Sequence, residues 1–378
     1  MYPTIHVAVC CRVFMFCYRD VVRENTDFCI KLSIIQTINL IEKNRFNCYH
    51  NIIYKTFVRK CKMSAINMEQ LLCDAVEYAK SFENNGEVAS YIPELSHADR
   101  NALGVAVVAN NKKIYKHGNW DTLFTIQSIS KVISLILALQ TSGAEKVFSK
   151  VGVEPTGDAF NSIIRLETHH THIPLNPMIN AGAIAVVGCI DTPFAFQDFL
   201  ELTRKLCGRD DIKLNEAVYL SEKATGMRNR AIAYMLRTEG VLEKDVEHVL
   251  DIYFKMCSVE VNALDLANFG SILANDGVNI FTGERLVESW IIPIVKSIMM
   301  TCGMYDGSGE FAMKVGMPAK SGVGGGIICM SEENLGIAVY GPSLDAKGNS
   351  IWGLKILEYL SKQLNLHYFA GKHTKEYY

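Results

Sequence analysis

Ser128 and Lys131 stand three residues apart in the run FTIQSISK, Phe124 to Lys131, at the mouth of an apolar segment from Val132 to Leu139. Residues at i and i+3 share one helical face, so this spacing brings the lysine amine within reach of the serine oxygen. Desolvation penalises the charged form of a lysine, and a neutral amine can take the proton of a hydroxyl. The pair therefore reads as a serine nucleophile with a lysine base. The competing reading is a serine that caps the helix and a lysine that snorkels its amine to water. The segment after Ser128 is apolar almost all round and must be buried, which favours the chemical reading.

Several other groups could act with this pair, and each also has a structural reading. Lys320, Ser321 and Gly322 stand where a Ser-x-x-Lys enzyme can carry its later Lys-Thr-Gly element. The stretch Asn176 to Ile184 (NPMINAGAI) sets two amides, Asn176 and Asn180, beside small residues that let something approach the backbone closely, or that merely cap and pack a helix. In Ser221 to Asn229 (SEKATGMRN), Glu222 and Asn229 lie seven residues apart, two helical turns, suited to a ligand or to a solvated face. Tyr305 brings one phenol to the glycine-rich loop Cys302 to Gly309, as a reactive group or as a lid over the core. The glycines of Ser321 to Ile327 (SGVGGGI) match neither phosphate-loop spacing and fit better as a strand edge whose amides touch ligand. His169, His170 and His172 lack a companion zinc motif and read as a polar loop, so no metal is expected.

The elements that must hold these groups follow from periodicity. A helix is expected over Met68 to Phe82, and strands over 103–108 and 113–116 form a hairpin about Asn110 and Asn111. From Ser128 to about Leu286 the pattern is mainly helical, with amphipathic stretches near 195–207, 215–237, 243–256 and 262–275. Strand signals return at 325–330 and 335–340, and a helix from Trp352 to Leu364 closes the chain. Strands at both ends are too few for two sheets. The economical architecture is α+β: one antiparallel sheet built from both chain ends, flanked by the terminal helices, with an all-helical subdomain inserted between.

The totals exclude some partners. The chain has 378 residues, 49% hydrophobic, and a net charge of −2 with both signs interspersed. That balance suits a small-molecule ligand and argues against nucleic acid or an anionic membrane. Its 12 cysteines form no paired C-x-x-C clusters and read as reduced thiols, several in apolar runs, as Cys257 is. Residues 1–67 differ, holding ten Lys+Arg against four Asp+Glu and six of the cysteines. Their apolar run from Val7 to Tyr18 is broken by Arg12 and too short to span a bilayer. This stretch is expected to be an extension of separate role, ahead of a catalytic domain over 68–378. A cytoplasmic location is expected, with a mitochondrial one as the alternative if the basic extension is a targeting segment.

Taken in order, the motifs resemble the serine-dependent glutaminases, from Ala89 to Leu95, Phe124 to Lys131, Val151 to Asp158, Asn176 to Ile184, Ser221 to Asn229, Tyr253 to Ser258, Thr282 to Arg285, Cys302 to Tyr305 and Ala319 to Gly325. The wording of Ile126 to Lys131 is similar to the bacterial branch. The resemblance implies a β-lactamase-like fold and hydrolysis of L-glutamine to L-glutamate and ammonia, without cofactor. It implies Ser128 as nucleophile, Lys131 as base, Tyr305 as proton relay or substrate contact, and the backbone N–H groups of Ser128 and Val323 as oxyanion donors. Tyr91, Gln127, Asn180, Glu222, Asn229 and Tyr253 would hold the substrate, Glu222 at its α-ammonium and the amides and phenols at its α-carboxylate. A homodimer or homotetramer is the expected assembly. No Ser-Asp-Asn motif is present, and Lys320 is followed by serine instead of threonine, both of which count against a β-lactam substrate.

Overall fold

The computed structural model describes residues 67–159, 161–163 and 172–370. The extension over 1–67 falls outside them except for its last residue, as do His169 and His170. The first helix, α1 (Met68–Lys80), is capped by Asn67, whose side chain accepts from the Gln70 N–H. After it come β1 (Gly104–Val108) and β2 (Ile114–Gly118), the expected hairpin, and a short β3 (Phe124–Thr125).

The helical block follows. It comprises α2 (Ser130–Phe148), α3 (Asn180–Cys189), α4 (Ala195–Cys207), α5 (Glu216–Thr225), α6 (Met227–Thr238) and α7 (Val246–Cys257). Then β4 (Glu260–Val261) pairs with β3, and α8 (Ala263–Ala274) returns the chain to the main sheet. The last part holds α9 (Ile291–Cys302), α10 (Ser308–Lys314), β5 (Ala319–Ser321), β6 (Gly326–Met330), β7 (Gly336–Tyr340) and α11 (Ile351–Leu364).

The main sheet has five antiparallel strands in the order β2-β1-β7-β6-β5, so both chain ends build it, as the pattern predicts. Central strands β1, β6 and β7 are buried at every residue and read as apolar runs, whereas edge strand β2 alternates exposed and half-buried positions. Helix α8 covers one face; α1 and α11 pack against β2 and β7. The approach of α8 is close enough to require glycine: a Cβ at Gly336 would lie 2.0 Å from the Ala267 carbonyl oxygen.

One expectation needs correction and one gains detail. The stretch 215–237 is not one helix: it breaks at Gly226, where an added Cβ would sit 2.5 Å from the Phe254 ring, so Glu222 and Asn229 come from different helices. The glycine edge does not spend its freedom on ligand alone. Added Cβ atoms would lie 2.8 Å from the Ile126 carbonyl oxygen at Gly322 and 2.3 Å from that of Thr125 at Gly324, so the turn seats itself on the segment leading to Ser128.

Candidate active site

The nucleophile candidate occupies a single 3-10 turn, Gln127–Ile129, that runs into α2. Gln127 adopts a left-handed φ of 48°. Such a conformation costs a non-glycine residue roughly 1 kcal/mol and recurs at functional turns. Ser128 does not cap the helix: the N-cap residue of α2 is Ile129, with no side-chain cap bond. Lys131 does not snorkel, being only 1% exposed. The competing structural reading of the pair therefore fails on both counts.

Around Lys131 the amine is satisfied in a specific way. Its Nζ donates to Asn180 Oδ1 at 2.7 Å and to the Met178 carbonyl oxygen at 3.2 Å. A neutral lysine amine has two N–H donors and one lone pair, so these two acceptors use both donors and leave the lone pair for an incoming proton. Burial lowers the Lys131 pKa to about 8, against the opposing pull of Cys257 and Glu222. Asn180 is the first residue of α3, the helix buried at the centre of the block. Its position depends on Gly182, where a Cβ would lie 1.9 Å from the Asn176 carbonyl oxygen; the small-residue stretch does admit a close approach, by its own chain.

Ser128 opens onto a cleft lined by both polar and aromatic side chains, the mixed lining that suits a small polar molecule. Tyr91, Gln127, Ser128, Asn180, Glu222, Asn229 and Tyr253 all line it. Asn180 Nδ2 donates to Asn229 Oδ1 at 2.9 Å, joining α3 to α6. Glu222 is 6% exposed, and its Oε2 has no hydrogen-bond partner. Burial pushes its pKa up to about 8, while Lys131 and the Gln127 side chain pull it down. A desolvated carboxylate facing a cleft is a place for a cation. Two caps fix the walls: Asn215 accepts from the Val218 N–H to start α5, and Asp245 accepts from the His248 N–H to start α7. Tyr91 is the most exposed of the set, at 56%, and stands at the rim.

Tyr305 and Val323 lie on the serine side of the cleft, together in a small apolar cluster with Ile92, Leu95 and Leu344. Burial raises the Tyr305 phenol, and both the Ser128 side chain and the Val323 backbone N–H act against that shift, which sets all three groups around one oxygen. All ten residues expected at the site thus gather in one place, from segments spread between 91 and 323.

With that geometry in view, comparison with known proteins is decisive. The sequence model of the glutaminase family matches residues 86–369. The chain belongs to the glutaminase family. A glutaminase of Clostridium tetani is 53% identical over 305 residues, covering 80% of this chain and all of its own length. Glutaminase 2 of Clostridium perfringens is 52% identical with the same coverage. Among solved structures, the Bacillus subtilis glutaminase YbgJ in covalent complex with 5-oxo-L-norleucine, formed by reaction with 6-diazo-5-oxo-L-norleucine, is similar at a TM-score of 0.73 and 36% identity. That match covers 80% of this chain and all of the other. The family likeness bears out the β-lactamase-like architecture of an antiparallel sheet flanked by helices.

The neighbourhood of this glutaminase site also holds groups beyond those ten. Lys320 is fully buried, its Nζ donating to the Ser321 carbonyl oxygen at 2.6 Å and lying 4.3 Å from the centre of the Tyr305 ring. Burial first, and the nearby Lys131 second, hold its pKa well below the ordinary lysine value. The thiol of Cys257 lines the cleft and lies 3.7 Å from Ser130 Oγ, and burial pushes its pKa up to about 12, so it stays protonated. Arg228 lines the mouth and donates from Nε to the Asn161 carbonyl oxygen at 3.0 Å. The Lys-Ser-Gly motif signalled Lys320; nothing local signals Cys257, which lies between Met256 and Ser258. Among the described residues no cluster suited to a metal occurs.

Proposed function

We propose that this glutaminase-family enzyme hydrolyses the side-chain amide of L-glutamine to L-glutamate and ammonia through an ester on Ser128, with Lys131 as the base. The observation that carries this reading is the Lys131 amine, whose two N–H groups are taken by Asn180 and Met178. Lys131 takes the Ser128 proton as Oγ attacks the carboxamide carbon, directly or through Tyr305. The resulting oxyanion is held by the backbone N–H groups of Ser128 and Val323, each such donor contributing about 3 kcal/mol to the transition state. The lysine ammonium returns the proton to the departing nitrogen, and ammonia leaves. Water, deprotonated by the same amine, then cleaves the ester and frees glutamate.

Glu222 receives the substrate α-ammonium, supported by its unpartnered Oε2. Asn180 and Asn229 with Tyr91 and Tyr253 bound the space left for the α-carboxylate. The covalent adduct of the B. subtilis enzyme with a glutamine-like diazoketone supports a nucleophilic route for its relative here. Mass spectrometry after treatment with 6-diazo-5-oxo-L-norleucine tests the assignment: the label is expected on Ser128, and label on any other residue overturns it.

A cytoplasmic location is supported by the free thiols of Cys73, Cys189, Cys207, Cys257, Cys302 and Cys329. No helix among the described residues is long and apolar enough to cross a membrane. A homodimer or homotetramer finds support in the exposed large apolar side chains of Leu220 on α5 and Met227 and Tyr234 on α6. Light scattering of the double variant Met227→Lys, Tyr234→Lys against the unaltered chain should show a smaller particle.

A further inference from the structure

We propose that Asn180 is the positioning residue of the base as well as a wall of the substrate site, linking Lys131 to the cleft through the directed hydrogen-bond relay Lys131–Asn180–Asn229. The inference rests on the assignment of Ser128 and Lys131 made above and deepens it.

The direction of the relay follows from its contacts. Lys131 Nζ donates to Asn180 Oδ1 at 2.7 Å, so the amide oxygen faces the amine. Asn180 Nδ2 is thereby turned outward, and the atom it meets at 2.9 Å on Asn229 must again be an oxygen. Asn229 is left with its Nδ2 group as the last donor of the row, on a residue that lines the cleft. A row of this polarity ends in a donor and suits an anionic group such as an α-carboxylate.

The other end of the relay serves the proton transfer. When Lys131 takes the Ser128 proton, the O–H bond breaks, an N–H bond forms, and a positive charge appears on a buried amine. Asn180 Oδ1 and the Met178 carbonyl oxygen are already in place as acceptors for that charge, so the site need not reorganise as it develops. Three titratable groups also face Lys131. Cys257 from α7 and Glu222 from α5 favour its ammonium; Lys320 from β5 interacts with it as a second amine. Asn180 differs from these in being neutral and in direct hydrogen-bond contact, so exchanging it changes the amine's protonation in a direction that can be chosen.

Asn180→Asp sets a carboxylate against the amine, favours the ammonium and raises the pH at which a free base forms. Asn180→Ala removes an acceptor of the ammonium and lowers that pH. The test is ammonia release from glutamine by the full chain, as kcat/KM against pH, with single-turnover measurements at excess enzyme for slow variants. In Asn180→Asp the acid limb should move up by about one pH unit or more, a roughly tenfold loss at fixed pH on that limb. In Asn180→Ala it should move down. In Asn229→Asp, which still accepts from Asn180, the limb should stay within a few tenths of a unit while KM rises.

A merely structural role for Asn180 would lower activity without moving the limb in opposite directions. The relay is overturned if both Asn180 variants keep the unaltered limb, if both shift it the same way, or if Asn229→Asp shifts it as far as Asn180→Asp. Should Asn180→Asp fail to fold, judged by circular dichroism, Asn180→Ala and Asn180→Ser carry the same comparison, and an unmoved limb in both overturns the relay. Full activity in Ser128→Ala would instead sink the underlying assignment, so the two failures are distinguishable.

Discussion

Two buried carboxylates, Asp265 at the start of α8 and Glu222 on α5, show how differently the molecule treats its frame and its cleft. Asp265 is 3% exposed and fully committed: both oxygens accept from Arg209, at 2.8–3.0 Å, and Oδ2 also accepts from the Asn262 N–H at 2.8 Å to complete a capping box. Glu222 is 6% exposed and has an oxygen with no partner at all. In the frame, a buried charge is matched when the chain folds. In the cleft one carboxylate oxygen is left unmatched, and it is there that the proposed function seats the substrate's ammonium.

The contrast can be broken by substitution. The reference point is Ser128→Ala, which should lower kcat by about 10⁴-fold or more with the fold intact, as judged by thermal melting; retained turnover would remove the reason to call the cleft catalytic. Glu222→Gln should lower kcat/KM by roughly 10²-fold, chiefly through KM, because it removes the partner of a buried ammonium. Its melting temperature should not fall, since no folded-state bond of Oε2 is lost. Asp265→Asn should do the reverse, destabilising the protein by about 2 kcal/mol in denaturant titration while KM stays as it was. If Asp265→Asn changed KM and Glu222→Gln changed only stability, the division between frame and cleft would be wrong.

Acidity sharpens the same comparison. Lys131 must be neutral to act and has a pKa lowered to about 8, so kcat/KM should climb as pH rises toward about 8 and flatten above it. Glu222 favours the ammonium of Lys131, so Glu222→Gln should move that climb to lower pH. The stability effect is smaller and has the opposite sign. Glu222 is raised from 4.5 to about 8 by burial, so its folded state favours the proton; that contribution is full below about pH 4.5 and is lost as pH rises through about 8. Chemical denaturation should therefore find the unaltered protein losing stability relative to Glu222→Gln between those two pH values. A difference that did not vary with pH would mean that Glu222 is ionised throughout.

Much of the frame was legible because it depends on local periodicity. Helix α4 begins and ends where the amphipathic pattern places it, at 195 and 207, and the strands over 326–330 and 336–340 fall within one residue of the expected runs. Within the site, the burial of Lys131 and the gathering of Ser128, Asn180, Glu222, Asn229 and Tyr253 about one cleft agree with what spacing and motif order suggest. What was not legible depended on contacts far along the chain. The break falls at Gly226, where the Phe254 ring from α7 leaves no room for a side chain, and a single glycine in a helical pattern does not announce it. Cys257 belongs to the cleft because α7 turns that face toward Ser130, which no neighbouring residue encodes. Lys320 was flagged by its motif but its burial was not, since a three-residue strand is too short for periodicity to tell a buried lysine from a surface one.

The main sheet draws its strands from both ends of the chain, and this has a consequence for synthesis. Ser128 emerges early, but the turn that seats against Thr125 and Ile126 lies beyond residue 320. β1 finds its neighbour β7 only when Gly336–Tyr340 is present. A growing chain, or one cut short before that point, carries Ser128, the proposed nucleophile, with nothing to complete the surrounding vessel. Such a fragment would leave the cell's free glutamine untouched, and hydrolysis begins only in the finished molecule.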